Sequence, residues 1–108
     1  MMTRVWRCMA SNEANASGYI RHFEQTVAPE LRAIDGYRGA YILRNNDEEG
    51  IELKVMTFWD SMDAIRQFAG ENTEAAVIEP AAKALLQSFD PFVVHYEIVL
   101  DHFSSKEN

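Results

Sequence analysis

The stretch IELKVMTFWDSMDAIRQFAG, residues 51–70, changes its hydrophobic period near its centre. Its first half alternates as a β-strand does, and one face collects Ile51, Leu53, Val55 and Thr57. Its second half has the spacing of an amphipathic helix, with an apolar face of Met62, Ile65, Phe68 and Ala69. Asp60 and Ser61 both suit the helix N-cap, and Gly70 suits its end. The stretch predicts a strand that leads directly into a helix, with Trp59 at the corner.

The segments before this stretch predict two strands and a long helical region. Residues 3–9 have the length and composition of a strand. Residues 16–34 carry a helical apolar stripe, within which Pro29 either kinks the helix or begins a second one. Residues 37–44 predict another strand, and the polar residues 45–50 predict the loop of a hairpin.

The segments after the stretch predict one more helix and one more strand. A helix begins at Pro80, and its predicted apolar face consists of Ala82, Leu85, Leu86 and Phe89. Asp90-Pro91 ends it. Residues 92–100, FVVHYEIVL, predict the last strand.

This order of elements, β-α-β-β-α-β, predicts a ferredoxin-like α+β fold with a four-stranded antiparallel sheet and helices on one face. We expect a single domain over residues 1–103 and a flexible tail over 104–108. Both faces of the third and fourth strands carry apolar residues, so a second layer should cover the open side of the sheet. We therefore expect a homodimer in which two sheets pack face to face.

Composition excludes several classes of partner. The formal net charge of -7 disfavours nucleic acid and anionic membrane surfaces, both of which attract basic proteins. No apolar run approaches the ~20 residues of a membrane span. Arg4 and Arg7 interrupt the first apolar residues, so no signal peptide is predicted and a cytoplasmic location is expected. The single cysteine, Cys8, excludes an intramolecular disulfide.

Four segments together resemble the antibiotic biosynthesis monooxygenase family of dimeric α+β barrels: residues 36–44 (GYRGAYILR), 59–70 (WDSMDAIRQFAG), 74–83 (EAAVIEPAAK) and 93–99 (VVHYEIV). The resemblance implies a ferredoxin-like monomer, a barrel-forming dimer and a pocket between the sheet and the helices. The best-known enzymes of this family oxidise electron-rich aromatic polyketides without metal, flavin or haem. A second branch degrades haem.

The haem branch does not fit this sequence. Its tryptophan position falls on Phe68, its histidine position on or near Ile78, and its strand asparagine at about Cys8. Without a histidine at that place there is no axial ligand for iron. The resemblance therefore implies a protein without a cofactor, and no histidine or carboxylate pair has a spacing typical of a metal site.

Three residues are the candidates for catalysis. His95 lies in the middle of an apolar strand, where a neutral imidazole would act as a base; the alternative is a half-exposed histidine paired with Glu97 or with a neighbouring strand. Trp59 would form a pocket wall and donate its indole N–H to substrate, unless it is simply buried. Arg7 facing inward would stabilise a developing phenolate; facing outward, it only solubilises the strand. His22 on the first helix is expected to face solvent.

Aromatic side chains are the candidates for substrate binding, because they offer planar apolar surface with polar groups at its edge. They are Trp6, Tyr19, Tyr41, Phe68 and Tyr96. No G-x-S-x-G, phosphate-binding loop or dinucleotide glycine pattern is present in the sequence.

Two functions remain open from the sequence. In the first, the protein is a cofactor-independent monooxygenase that oxidises a small electron-rich aromatic or hydrophobic molecule with O₂. In the second, it is a non-catalytic or stress-related dimeric barrel that binds a small hydrophobic ligand. An isomerase or decarboxylase on a related barrel would use a similar base and aromatic wall.

Overall fold

The computed structural model describes residues 1–103 as a ferredoxin-like α+β fold, as the sequence predicts. The predicted flexible tail, 104–108, lies outside the described residues. Along the chain the elements are β1 Met2–Ala10, α1 Glu13–His22, a π-helical turn Phe23–Val27, α2 Ala28–Arg32, β2 Tyr37–Asp47, β3 Gly50–Trp59, α3 Met62–Ala69, α4 Pro80–Lys83, β4 Ser88–Phe89 and β5 Val94–Glu97. No helix in this range is long and apolar enough to cross a membrane.

The sheet is antiparallel, in the order β2-β3-β1, and both β4 and β5 pair with the remaining edge of β1. Trp6 lies opposite Val55 and Cys8 opposite Leu53, so these side chains share the face that packs on the helices. Leu53 and Cys8 are fully buried there, together with Trp59, Ile65 and Leu31. The opposite face of the sheet carries no helix from residues 1–103 and is called the open face below.

Residues 51–70 adopt the predicted structure. Burial alternates along the whole of β3, with the odd-numbered residues inside. The hydroxyl oxygen of Ser61 accepts a hydrogen bond from the Ala64 amide at 3.2 Å and so caps α3. Gly70 ends the helix at a positive φ of 81°, which glycine adopts without steric cost.

The predicted six-residue hairpin loop is wrong, because β2 and β3 pair as far as Asp47 and Gly50. The turn therefore contains only Glu48 and Glu49. The Asp47 carboxylate closes it by accepting hydrogen bonds from the amides of Glu49, at 2.8 Å, and Gly50, at 3.1 Å. This local side-chain closure allows the polar residues 45–47 to remain in the strand.

The long helical region follows the second of the two predicted alternatives, in which Pro29 belongs to the first turn of a second helix. Asn12 caps α1 by accepting a hydrogen bond from the Asn15 amide at 2.8 Å. Pro29 lies in the first turn of α2, where its missing N–H costs least. The π-helical turn Phe23–Val27 joins the two helices without a loop.

The last third of the chain differs most from the prediction. The helix that begins at Pro80 ends at Lys83, and Phe89 belongs to β4 and pairs with Cys8. The predicted strand over residues 92–100 shortens to Val94–Glu97. Pro91 has no backbone N–H that could donate to β1. The Pro91 carbonyl and the Val93 amide form hydrogen bonds with residues 71–79 instead.

Backbone hydrogen bonds at this interruption hold residues 71–79, which we call the cover segment. The Val93 amide donates to the Glu74 carbonyl at 2.8 Å, and the Ala76 amide donates to the Pro91 carbonyl at 2.9 Å. The gap between β4 and β5 therefore fixes the cover segment beside the helix-facing side of the sheet.

Candidate functional site

A cavity of about 80 Å³ lies between the sheet, the first helical region and the cover segment. The sheet contributes Arg4, Trp6, Val55 and Thr57 to its lining. The helical region contributes Tyr19, His22, Phe23, Val27, Glu30 and Leu31, and the cover segment contributes Val77, Ile78 and Glu79. Its walls are thus mainly aromatic and aliphatic, with a few ionisable groups among them.

Arg4 is the buried cation of this cavity, with only 5% of its surface exposed. Its Nη1 donates to the Thr73 carbonyl, and its Nη2 donates to the Ala75 carbonyl at 2.9 Å. Its Cζ lies 5.6 Å from the centroid of the Phe68 ring, within cation–π range. Arg4 is therefore held by the cover segment on one side and by an aromatic face on the other.

The charge of Arg4 is not neutralised by a carboxylate. All the ion pairs found in residues 1–103 use arginines other than Arg4. Burial lowers the pKa of Arg4 to about 10, so the guanidinium stays protonated at neutral pH. A buried cation whose only polar partners are neutral groups favours an anion beside it.

His95 lies directly opposite Arg4 in the pairing of β5 with β1, and its Nε2 is 3.1 Å from Arg4 Nη1. Because a guanidinium only donates, Nε2 must accept this bond, and we assign the ring proton to Nδ1. Burial and the charge of Arg4 both lower the pKa of His95. The predicted base therefore has the cross-strand partner that the alternative anticipated, and its Nε2 lone pair is occupied.

The other two predicted catalytic residues do not reach the cavity. Trp59 is fully buried, and its indole N–H donates to Thr57 Oγ1 at 2.8 Å, so it has no free donor for a substrate. Its ring packs against Tyr37 at 5.2 Å and stacks on Phe68 at 6.0 Å between centroids. Arg7 lies on the open face, where it pairs with Glu52.

The five predicted substrate-binding aromatics divide between the two faces of the sheet. Trp6, Tyr19 and Phe68 line the cavity, and the rings of Trp6 and Tyr19 are 5.9 Å apart. Burial raises the pKa of the Tyr19 hydroxyl, so it stays protonated. Tyr41 and Tyr96 lie on the open face instead, each 54% exposed.

Arg4 and His22 are the cavity residues that sequence reasoning missed. Arg4 alternates with Trp6 and Cys8 along β1, and that parity was the available signal that its side chain points inward. His22 does not face solvent as expected. Its Nε2 is buried and has no hydrogen-bond partner among the described residues.

Phe68 and Ile78 stand at two of the haem-branch positions, and neither side chain can ligate iron. The cavity is far below the ~300–1,000 Å³ of typical ligand and cofactor pockets. Phe68 at the tryptophan position stacks on Trp59, and Cys8 at the asparagine position is fully buried. Burial raises the pKa of the Cys8 thiol to about 12, which keeps it uncharged. Within residues 1–103, no three His, Cys, Asp or Glu side chains group closely enough to hold a metal ion.

Comparisons with known proteins agree with this fold. Residues 2–90 match the family model described as antibiotic biosynthesis monooxygenase. A search of curated proteins gave no match. Among solved structures, a monooxygenase from ActVA-Orf6 of Streptomyces coelicolor, in complex with nanaomycin D, is 18% identical, with a TM-score of 0.68 over 96% of this chain and 92% of that chain.

Two further solved structures show the range of proteins that share the fold. SnoaB of Streptomyces nogalater, a cofactor-independent oxygenase, is 17% identical, with a TM-score of 0.59 over 93% of this chain and 94% of that chain. A variant of MhuD with two manganese protoporphyrin IX bound per active site is 18% identical, with a TM-score of 0.63 over 96% of this chain and 100% of that chain. At these identities the likeness shows the fold alone.

Proposed function

This chain belongs to the antibiotic biosynthesis monooxygenase family, and we propose that it oxidises a small electron-rich aromatic molecule with O₂, without metal, flavin or haem. Two of the similar folds are a monooxygenase with bound nanaomycin D and a cofactor-independent oxygenase. The proposal needs a site that lets an aromatic substrate become an anion, because an anion gives an electron to O₂ more readily than the neutral ring.

The observation that carries the proposal is the buried guanidinium of Arg4. It lies in a mainly apolar cavity and forms no ion pair with a carboxylate of residues 1–103, and so it would stabilise the negative oxygen of a phenolate or enolate. In water-poor surroundings such a charge interaction is stronger than in bulk water. His95 accepts a hydrogen bond from Arg4 and so positions it.

The reaction is balanced with O₂ as the only co-reactant. A substrate with an activated ring CH₂ loses a proton from that carbon or from the hydroxyl of its enol form, and the resulting anion, which is the same in both cases, transfers an electron to O₂. The carbon-centred and oxygen-centred radicals combine, the peroxide takes up a proton, and loss of water leaves a C=O group. One oxygen atom enters the substrate and the other leaves as water. The protein supplies orientation, charge stabilisation and proton transfer.

The cavity limits the substrate. At about 80 Å³ it is smaller than the ~150 Å³ cavity that admits benzene in an engineered protein. A ring therefore enters only when the lining moves. The cover segment is the part of the lining that lacks regular secondary structure over most of its length, and Arg4 holds it through two carbonyl groups.

Oxygen uptake with a panel of anthrones and hydroquinones tests the proposed function. We expect turnover above the protein-free rate for the wild type. Arg4→Met should lower kcat/KM by about 10²–10³, the usual loss when one oxyanion-stabilising donor is removed, and Arg4→Lys should lower it less. Arg38→Met, at an exposed arginine paired with Asp60, is the matched control. Equal rates for wild type and Arg4→Met would refute the role of Arg4.

We also propose that two copies pack through their open faces. Tyr41, Leu43, Val94 and Tyr96 are each about half exposed there. Such apolar surface is unusual on a monomer and typical of an interface. Sedimentation velocity tests the proposal: a chain that sediments as a monomer at all accessible concentrations would contradict it.

A further inference from the structure

His22 carries the one buried side-chain nitrogen or oxygen in residues 1–103 that lacks a hydrogen-bond partner. Leaving such an atom unpaired costs about 1–3 kcal/mol, so native proteins rarely do it without a functional reason. The atom is Nε2 of a residue that lines the cavity, and the other groups in that lining include the Arg4 guanidinium. The residue that carries the unpaired nitrogen therefore belongs to the lining of the compartment that would receive substrate.

The position of His22 in the helical region places it in the cavity lining. His22 is the last residue of α1, and the π-helical turn begins at the next residue, Phe23. A π-turn adds a residue to the helix and recurs at functional sites, because it redirects side chains without breaking the helix. Tyr19, His22 and Phe23 all line the cavity as a result, with 6.4 Å between the ring centroids of Tyr19 and His22.

We propose that His22 is the general base of this site and that its substrates carry an ionisable hydroxyl on the ring. The inference rests on the proposed function. The substrate O–H bond breaks, an N–H bond forms at Nε2, and the electron pair stays on the substrate oxygen, whose charge Arg4 stabilises. His22 acts from the helices and Arg4 from the sheet. Phenols, naphthols and the enols of anthrones meet this requirement, and their methyl ethers do not.

His95 is not the base in this arrangement, because its Nε2 accepts the bond from Arg4. The other ionisable side chains in the lining are Glu30, Glu79 and Tyr19. Burial raises the pKa of Tyr19, which makes its hydroxyl a donor rather than a base.

Oxygen uptake with a hydroxylated substrate compares wild type, His22→Gln and, as the matched control, His102→Gln. His102 is exposed and outside the cavity. We expect His22→Gln to lower kcat by about 10²–10⁴, the usual contribution of a general base, and His102→Gln to leave it unchanged. Added imidazole should restore part of the rate to His22→Ala. Turnover by His22→Gln at the wild-type rate would overturn the proposal while the monooxygenase function stands.

Binding of 4-nitrophenol gives a second readout that needs no turnover. In buffer acidic enough to keep free 4-nitrophenol neutral, we expect the wild type to bind it as the yellow phenolate and His22→Gln to bind the neutral form. A wild type that consumes no oxygen but shows this difference refutes the monooxygenase function and supports His22 as a base. A wild type that binds only the neutral phenol overturns the proposal for His22, and thermal unfolding of each variant checks that it is folded.

Discussion

Replacement of Arg4 by Met should loosen the cover segment without unfolding the sheet. Arg4 donates to the carbonyls of Thr73 and Ala75, and each hydrogen bond from a charged group contributes about 1.5–3 kcal/mol. We take the lower value for both, because the carbonyls regain water when the segment opens. The free energy of local opening should then fall by about 3 kcal/mol, which corresponds to roughly 100-fold faster exchange of the amides that the segment protects.

Native-state hydrogen exchange measures this effect at the amides of Ala76 and Val93, whose hydrogen bonds join the cover segment to residues 91–93. Exchange in the paired strands β1 and β3 serves as the internal reference, and Arg38→Met is the control for loss of an exposed guanidinium. Wild-type exchange rates at Ala76 and Val93 in Arg4→Met would refute the reasoning. A uniform increase across the whole sheet would refute it equally, because it would mean global rather than local destabilisation.

Three further predictions concern other parts of the molecule. Trp59→Phe removes the 2.8 Å bond to the buried Thr57 hydroxyl and should lower the free energy of unfolding in urea by about 2 kcal/mol; an unchanged urea midpoint contradicts this. Tyr96→Glu should shift sedimentation toward the monomer, whereas Gln67→Glu, which adds the same charge at an exposed position of α3, should not. The pKa of His95 is lowered in the folded state, so the unfolded chain binds the proton more readily and the free energy of unfolding falls as the pH falls below the ordinary histidine pKa. His95→Gln should lose less stability than the wild type over that pH interval. Equal losses in the two proteins would contradict the assignment.

The sequence predicted the elements whose periodicity is local. Alternation along residues 51–59 and a helix cap at Asp60 or Ser61 depend on near neighbours. The structure has the alternation, and Ser61 is the cap. The order of the elements predicted the ferredoxin-like topology, and the family resemblance agreed with it. The ends of elements were less accurate. Asp47 closes a turn with its own carboxylate, and no hydrophobic pattern encodes that contact.

The site was harder to predict, because it depends on which strand face points to the helices. Tyr41 and Tyr96 have the composition of pocket residues, yet register places them on the open face. Arg7 and Arg4 differ by three positions and therefore lie on opposite faces of β1. The sequence of a single strand does not show which of its two faces is buried. The pairing of Trp6 with Val55 and of Cys8 with Leu53 shows which face of β1 is buried. This pairing is known only from the assembled sheet.

Arg4 links the closure of the cavity to what the cavity binds. The same guanidinium that holds Thr73 and Ala75 is the only buried cation that a bound anion in this cavity would contact among the described residues. An anion that takes a guanidinium N–H now bonded to Thr73 or Ala75 replaces that carbonyl group, and its binding free energy is then coupled to opening of the cover segment. The site therefore opens for the ionised form of a substrate more readily than for the neutral form. Loss of the proton to His22 and admission of the ring become parts of one equilibrium.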